Sequence, residues 1–263
     1  RQPMISKSDI KLIRSLADRQ ARMESGIFAV EGSKMVAEAL ASNYTVVRIF
    51  VTRGTENIIN TAGIHPTHVE EISASEMERI SHFKTPPGIL ALVKIPERTF
   101  VYPSPEKLIM ALDGVQDPGN LGTIIRIADW FGIADMVCSP GSADCNNPKA
   151  VQATMGALFR VNVHYLPLPG ILSVATEKKA PVYGTVLDGE NIYESQLCGS
   201  GIIVMGSESH GISTEVDSLL SHRLLIPPYP AGRHGSESLN VATAAAIVCS
   251  EFRRRQRQRT NIQ

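Results

Sequence analysis

The feature that most constrains the fold is a repeated switch between two hydrophobic periods in the second half of the chain. Short apolar runs such as LIMAL at 108–112 and GIIVMG at 201–206 have the length and composition of buried strands. Segments with apolar residues at helical spacing lie between such runs. Strands that alternate with helices predict a parallel, doubly wound sheet in an α/β domain. The other strands predicted here are ADMVCS, APVYGTVL and HRLLIP, and the predicted helices are NPKAVQATMGALF and LNVATAAAIVCSEFRRR.

The first hundred residues alternate in the same way over shorter segments. The segment at 6–23 is predicted to be one helix with Ile10, Ile13, Leu16 and Ala17 on one face, and SKMVAEALA is predicted to be a helix capped by Ser33. The predicted strands are GIFAVEG, VVRIFVT, THVEEIS and GILALVKI, with the helix ASEMERISHF before the last of them. We therefore expect a small α/β domain at 1–97, a proline-containing linker at 98–106 and a second domain at 107–263.

Composition excludes several classes of protein. Lys plus Arg and Asp plus Glu are equal at 26 each, so net charge gives no support for nucleic-acid binding, and a basic surface would have to come from local segregation. The only charge run is RRRQRQR at 253–259. No segment approaches the ~20 apolar residues that span a membrane, and no apolar core of a signal peptide follows the basic N-terminus. The expectation is a cytoplasmic protein without a membrane segment.

The cysteines and histidines do not form a metal-binding pattern. None of Cys138, Cys145, Cys198 and Cys249 belongs to a CxxC pair. The HxxH at 65–68 has no Cys or carboxylate pattern around it, so no metal site is expected.

The stretch DPGNLGTIIRIADWFGIADM at 117–136 has the form of a turn from a strand into a helix. Asn120 is predicted to cap the helix, and an inward stripe is formed by Leu121, Ile124, Ile125 and Ala128. Arg126 falls near the other face. Its planar guanidinium suits a phosphate, and an equally acceptable interpretation is a solvated arginine paired with Asp129.

Two further turns follow predicted strands and carry polar residues. Glu208 comes directly after a buried strand, where a carboxylate favours function, with capping of the next helix as the alternative. Ser238 and Asn240 precede the last helix, and N-capping explains one of them more easily than both. Ligands of parallel α/β sheets collect beyond the carboxyl ends of the strands, so these residues are candidates for one site.

Other catalytic classes are not supported. No serine fits GxSxG, and no Cys–His arrangement suggests a nucleophile. A dinucleotide enzyme is opposed by the missing GxGxxG and the missing ribose-binding acid.

Three separated stretches together resemble a known family. NLGTIIRIA, GSESHGIS and IPP…SLNVATAAAI are similar, in order and spacing, to the three motifs of the SpoU family of RNA ribose 2′-O-methyltransferases in the SPOUT superfamily. The similarity covers about residues 106–255. GIFAVEGSKMVAEAL and TPPGILALV also resemble the L30e-like substrate-binding domain that precedes the catalytic domain in many of these enzymes.

The resemblance implies a fold, a cofactor and a partner. It implies an α/β domain with a deep trefoil knot that holds S-adenosylmethionine, and a homodimer packed through the knot helices. By position it implies cofactor-binding residues Leu187, Gly206, Ile226 and Leu239. The residues that match the family's catalytic motifs are Asn120, Arg126, Glu208, Ser238 and Asn240.

The sequence also departs from the family pattern. Ser207 and Ser209 flank Glu208 where the family usually has Asn and Gly, and the loop at 227–237 is longer than usual. Gln152 and Thr154 stand where Arg and Ser are common.

The implied reaction is methylation of an RNA ribose 2′-hydroxyl, with 23S ribosomal RNA favoured over transfer RNA. A guanidinium stays protonated near neutral pH, so we expect Arg126 to position substrate rather than to act as a base. RNA recognition is expected in the first domain and the basic tail. The rival interpretation is an RNA-binding protein of this fold without activity.

Overall fold

The computed structural model describes residues 5–55, 69–102, 106–230 and 237–260, with side chains through Gln256. The chain divides into two compact units. The first comprises Arg1–Glu97 together with Asp144–Arg160, and the second comprises Arg98–Ala143 and Val161–Gln263. In the described ranges, no helix combines the length and the apolar character needed to cross a bilayer.

The first unit is built on a four-stranded sheet in the order β1-β4-β2-β3, in which only β2 and β3 are parallel neighbours. Its strands are β1 (Ile27–Glu31), β2 (Val46–Thr52), β3 (Val69–Ile72) and β4 (Ile89–Lys94). Its first helices are α1 (Lys7–Ser15), α2 (Arg19–Ser25), α3 (Ser33–Leu40) and α4 (Ala74–Ile80).

Two predicted details of this unit are wrong. The single helix predicted at 6–23 is two helices, because the Asp18 carboxylate accepts hydrogen bonds from the backbone N–H groups of Gln20 and Ala21 and so caps a new helix. Ser33 is the first residue of α3 rather than its cap. The capping position is Gly32 at φ 98°, without a side-chain bond.

The segment Asp144–Arg160 follows a strand of the second unit, β6 (Asp135–Cys138), in sequence but packs with the first unit. It contains α6 (Pro148–Thr154) and a 3-10 turn at Ala157–Phe159. Arg22 is 1% exposed and donates to the Asp144 carboxylate at 2.6 Å and to the Leu16 carbonyl at 2.7 Å. Tyr44 packs edge-on against the Phe159 ring. A buried ion pair and an aromatic contact therefore hold this segment in the first unit.

The second unit contains a six-stranded sheet in the order β10-β8-β9-β5-β6-β7, and every pairing in it is parallel. This confirms the predicted α/β fold with a parallel sheet. Its strands are β5 (Leu108–Asp113), β6 (Asp135–Cys138), β7 (Asn162–Tyr165), β8 (Val182–Asn191), β9 (Gly201–Gly206) and β10 (His222–Leu225). Its helices are α5 (Pro118–Trp130), α7 (Leu168–Glu177), α8 (Thr214–Asp217) and α9 (Val241–Thr260). The sequence pattern did not predict β7 or α7.

The alanine-rich segment of the sequence lies in α9, which packs on α5. The predicted inward stripe of α5 is confirmed, since Leu121, Ile124, Ile125 and Ala128 are fully buried. Ala245 of α9 is 0% exposed in the single chain, and α9 packs on α5. The alanine-rich helix α9 therefore has a neighbour within the same chain, α5, on which Gly122 is buried.

Candidate active site

The start of α5 is capped by Asp117 and not by Asn120, which corrects the sequence prediction. The Asp117 carboxylate accepts a hydrogen bond from the Asn120 backbone N–H at 2.8 Å, and Pro118 occupies the first helical turn, where no N–H is needed. Asn120 thus lies inside the first turn. Its side chain is not used as the cap and is available for other partners.

Asn240 caps α9, and this role fixes the orientation of its amide. Its Oδ1 accepts hydrogen bonds from the backbone N–H groups of Ala242 at 2.9 Å and Thr243 at 3.2 Å. The oxygen must face these donors, so the Nδ2 group points away from the helix. It donates to Oδ1 of Asn120 at 3.0 Å.

The orientation of Asn240 determines that of Asn120. Because Oδ1 of Asn120 accepts from Asn240, its Nδ2 is left to donate, and it donates to Oε1 of Glu208. Glu208 lies 88 residues from Asn120 in sequence, and Asn240 lies 120 residues from it. The three junctions singled out in the sequence therefore meet in one hydrogen-bonded row, Asn240–Asn120–Glu208, which ends on a carboxylate.

Glu208 is presented by a tight turn at the end of β9. Ser207 and Gly211 exchange two backbone hydrogen bonds, of 3.0 and 2.9 Å, which closes the turn around Glu208. A Cβ at Gly206 would lie 2.2 Å from the carbonyl carbon of Gly211, so only glycine fits where the turn folds back. The next helix has Ser213 at its capping position, so Glu208 does not cap it. The alternative interpretation of Glu208 is thereby excluded.

A carboxylate that the pattern analysis missed supports the same turn. Asp113 ends β5, and its Oδ2 accepts a hydrogen bond from the Ser213 backbone N–H at 2.8 Å. Asp113 pairs in register with Gly206, so it braces the far end of the Glu208 turn against the neighbouring strand. The signal was present in the sequence, because Asp113 follows an apolar strand as directly as Glu208 does.

Arg126 is not part of this row. Its side chain is exposed, and within the described ranges it has no hydrogen bond or ion pair, so the predicted alternative of a pair with Asp129 is not observed. At about 100° per residue, Arg126 lies roughly 120° around α5 from Asn120 and about 9 Å along it. Thr123 and Trp130 share its exposed face.

Ser238 also stands apart from the row. It is exposed and makes no hydrogen bond to a residue that the structure describes. The capping position that the sequence left open between Ser238 and Asn240 is filled by Asn240 alone.

The four residues matched to cofactor binding lie in strands of the second unit or in the segments that follow them. Gly206 ends β9, and Ile226 follows β10 and is half-buried. Leu187 lies three residues past the last β8–β9 pair and is 69% exposed. Leu239 precedes Asn240 and is 49% exposed.

These residues fit the chemistry of S-adenosylmethionine. Exposed leucines such as Leu187 and Leu239 give no folding benefit where they stand, and side chains of this kind can cover an adenine ring. The two leucines therefore suit the apolar faces of the adenine of S-adenosylmethionine.

Part of the basic run at 253–259 is hydrogen-bonded within the protein. Arg253 donates to the carbonyl groups of Phe131 at 2.7 Å and Gly132 at 3.2 Å. Arg254 and Arg255 both donate to Glu251, and the hydrogen bond from Arg254 is the main cause that lowers the pKa of that carboxyl. These three arginines thus have internal partners at the end of α9.

The described residues contain no group of three or more His, Cys, Asp or Glu side chains that could hold a metal ion. His65 and His68 lie outside the described residues.

Comparison with known proteins places both halves of the chain in families. Residues 107–250 match the family model of the SpoU rRNA Methylase family. Residues 7–91 match that of the MRM3-like substrate binding domain.

Similar proteins match over nearly the whole chain. The 23S rRNA (guanosine(2553)-2′-O)-methyltransferase RlmP of Bacillus subtilis is 30% identical, and the match spans 93% of this chain and 95% of that protein. An RNA methyltransferase of the TrmH family from Porphyromonas gingivalis is 42% identical, with a TM-score of 0.86 over 96% of this chain and 100% of that one.

A third protein was solved with its cofactor. The AdoMet-bound rRNA methyltransferase from Sinorhizobium meliloti is 26% identical, with a TM-score of 0.82 over 97% of this chain and 98% of that one. The motifs, the parallel sheet and these matches agree, and the chain belongs to the SpoU rRNA methylase family.

Proposed function

We propose that this protein is an enzyme that transfers a methyl group from S-adenosylmethionine to a ribose 2′-hydroxyl of ribosomal RNA, with 23S rRNA as the substrate class. The observation that carries the proposal is the row Asn240–Asn120–Glu208, because it joins one residue from each of the three family motifs beside the strand ends. The match to RlmP of Bacillus subtilis supports the choice of 23S rRNA.

The cofactor, when bound, supplies an electrophilic methyl group. The protein must then hold the 2′-oxygen in line with that group, since alignment provides most of the rate gain in a displacement of this kind. Glu208 accepts a hydrogen bond from Asn120 and keeps its exposed carboxylate at the rim of the site. We infer that this carboxylate orients the ribose or cofactor hydroxyl groups, and that the amide row keeps it in place.

Arg126 acts from a different face of α5. It is exposed and makes no ion pair to a described residue, so its guanidinium is available to a phosphate next to the target ribose. A guanidinium remains protonated at neutral pH, so the proton of the hydroxyl passes to a phosphate oxygen or to water. Ser238, two residues before Asn240, faces solvent and is assigned to substrate contact in the same loop.

The remaining assignments rest on the family. We propose that the second domain, 107–263, contains the trefoil knot of the SPOUT fold and that 98–106 is a linker. We also propose that 1–97 and the basic tail bind RNA. We further propose a cytoplasmic homodimer packed through the knot helices. Trp130 at the end of α5 is 84% exposed, and contact with a second copy there would remove this indole from water.

Two experiments test the function. Purified protein is incubated with radiolabelled S-adenosylmethionine and, in separate reactions, 23S rRNA or transfer RNA. The 2′-O-methylated positions are mapped by their resistance to alkaline cleavage. We expect one or a few labelled positions with wild type and none above background with Asn120→Ala. Labelling of transfer RNA alone would support the tRNA alternative, and cofactor binding without any labelled RNA would support the inactive RNA-binding protein.

The second experiment separates the chemistry from RNA folding. A short, unstructured RNA that contains the mapped site is methylated in the presence of EDTA. We expect activity to persist, because alignment of the hydroxyl with the methyl group requires no Lewis acid. A strict metal requirement on this RNA would contradict the mechanism.

A further inference from the structure

Strand β8 leaves its ladder with β10 over five residues. Arg223 pairs with Gly184, and the next residue, Leu224, pairs with Glu190. Residues 185–189 therefore lie opposite a single peptide bond of β10 and form an excursion from the strand. Leu187, at the middle of this excursion, is the exposed residue assigned to the cofactor site.

The excursion is fixed at both ends. At its start, the Thr185 hydroxyl donates to the Met205 sulfur at 3.2 Å. At its end, a Cβ on Gly189 would lie 2.7 Å from both the Arg223 carbonyl oxygen and the Leu224 carbonyl carbon, so the bare backbone of Gly189 rests on that peptide bond. These two contacts fix the ends of the excursion and involve none of residues 186–188 between them.

Arg223 ties this excursion to the segment that follows the Glu208 turn. Its Nη2 donates to Oδ1 of Asp188 at 2.7 Å, and its Nη1 donates to Oδ1 of Asp217 in α8. The hydrogen bond from Arg223 is the main cause that lowers the pKa of the Asp188 carboxyl. Asp188 is the neighbour of Leu187, and α8 follows the turn that presents Glu208.

We propose that Arg223 is a positioning residue for cofactor binding: it holds the 185–189 excursion and α8 together so that Leu187 is set to cover the nucleoside before the cofactor arrives. The inference rests on the proposed function for the identity of the ligand. Preorganisation of a binding loop lowers the ordering cost of binding, so the guanidinium contributes to affinity without touching the ligand.

The test measures cofactor affinity by calorimetry with S-adenosylmethionine. We expect Arg223→Met to raise the Kd about three- to tenfold, because each arm is a partly exposed ion pair of modest strength. Arg223→Lys should restore only part of the affinity, since one ammonium cannot reproduce a fork that reaches two carboxylates. In steady-state methylation the KM for the cofactor should rise while kcat at saturating cofactor is retained.

Arg48→Met is the matched control. Arg48 also bridges two carboxylates, Asp9 at 2.6 Å and Glu70 at 2.7 Å, but it lies in the first unit. We expect its Kd for the cofactor to equal that of wild type. An equal loss in both variants would show that any broken ion-pair bridge lowers affinity, and it would overturn the assignment of Arg223.

Hydrogen exchange in the cofactor-free protein supplies a second readout. Amides at 186–188 should exchange faster in Arg223→Met than in wild type, whereas the buried amides of β9 should be unchanged. Unchanged exchange at 186–188 and an unchanged Kd would refute the inference while leaving the proposed function intact. Failure of the wild-type protein to bind the cofactor would instead overturn both.

Discussion

At the scale of single residues, Asn240 performs two tasks that a substitution can separate. Its oxygen caps α9, and its amide nitrogen orients Asn120. Asn240→Asp keeps a good cap but removes the donor, so Asn120 would turn its nitrogen toward residue 240 and its oxygen toward Glu208. We expect thermal stability close to wild type and a fall in single-turnover methylation of about ten- to a hundredfold.

Asn240→Ala is the companion variant for this prediction. It loses the cap as well, and the expected destabilisation is about 1 kcal/mol in denaturant unfolding. If Asn240→Asp methylates RNA at the wild-type rate, the amide row has no role in orienting Glu208. If both variants lose equal stability, the side chain at 240 does not act as the cap.

Arg126 differs from the row because it is exposed and makes no hydrogen bond or ion pair within the described ranges. Arg126→Ala should reduce single-turnover methylation at saturating cofactor by about a hundred- to a thousandfold, as expected when a contact made mainly in the transition state is lost. The calorimetric Kd for S-adenosylmethionine should remain unchanged. Arg126→Lys should rescue poorly, since a point charge cannot bind a phosphate in bidentate fashion.

Either of two results would remove Arg126 from its assigned role. Wild-type turnover in Arg126→Ala would mean that it is an ordinary solvated arginine. A matching loss of cofactor affinity would place it in the cofactor site instead.

At the scale of elements, α9 packs on α5, and Ala245 of α9 is fully buried in the single chain. A larger side chain there must displace its neighbours within the chain. Ala245→Leu should lower the free energy of unfolding by about 1–3 kcal/mol, measured by denaturant titration. Ser250→Leu on the exposed side of the same helix is the control, with an expected change within about 0.5 kcal/mol. Equal stability of Ala245→Leu and wild type would contradict this packing.

The elements show what the sequence could predict. The apolar runs at β5 and β9 identified central strands, because only buried strands are apolar on both faces. The four-residue β7 was missed, since NVHY carries two polar residues and is too short to show a period. Asn120 was predicted to be the cap because the sequence pattern does not distinguish it from Asp117 three residues earlier. The structure distinguishes them, since the Asn120 backbone N–H donates to the Asp117 side chain.

The candidate site, like the fold, could be predicted from the sequence only in part. Its strand-end residues could be located from composition, because polar side chains after apolar strands are few. The hydrogen-bonded row Asn240–Asn120–Glu208 could not be predicted from composition, because it depends on the relative placement of segments more than 80 residues apart. The excursion at 185–189 could not be predicted from the sequence either. A strand that stays paired with its neighbour and a strand that leaves that pairing have the same sequence pattern.

At the scale of the whole molecule, the first unit depends on a segment from later in the chain. Arg22 is 1% exposed and its partner Asp144 is 13% exposed, so the pair is largely withdrawn from water. Arg22→Met leaves the Asp144 carboxylate without this partner and should destabilise the protein by about 3–5 kcal/mol in thermal or denaturant unfolding. The double variant Arg22→Met, Asp144→Leu should recover part of this loss. No recovery would indicate that the hydrogen bonds from Arg22 to the Leu16 and Ala17 carbonyls, rather than the ion pair, dominate.

The proposed homodimer is the remaining prediction at this scale, and Trp130 supplies a test of it. Ala245 is covered within the protomer, so a substitution there tests folding rather than dimerisation. Trp130 is 84% exposed on α5, so a contact of two copies on that face removes large indole surfaces from water. We expect wild type to sediment as a dimer and Trp130→Glu as a folded monomer, because contact would bury an unpaired carboxylate from each copy.

Met23→Glu is the control for the dimer prediction. Met23 is also exposed, at 66%, but it lies in the first unit, so this variant should sediment as wild type does. Circular dichroism must show both variants folded, which separates loss of contact from loss of structure. A folded Trp130→Glu that stays dimeric at the lowest measurable concentration would show that the dimer uses another surface. In that case the exposed indole would have to be explained by a different partner, and RNA bound beside Arg126 on the same face of α5 would be the first to examine.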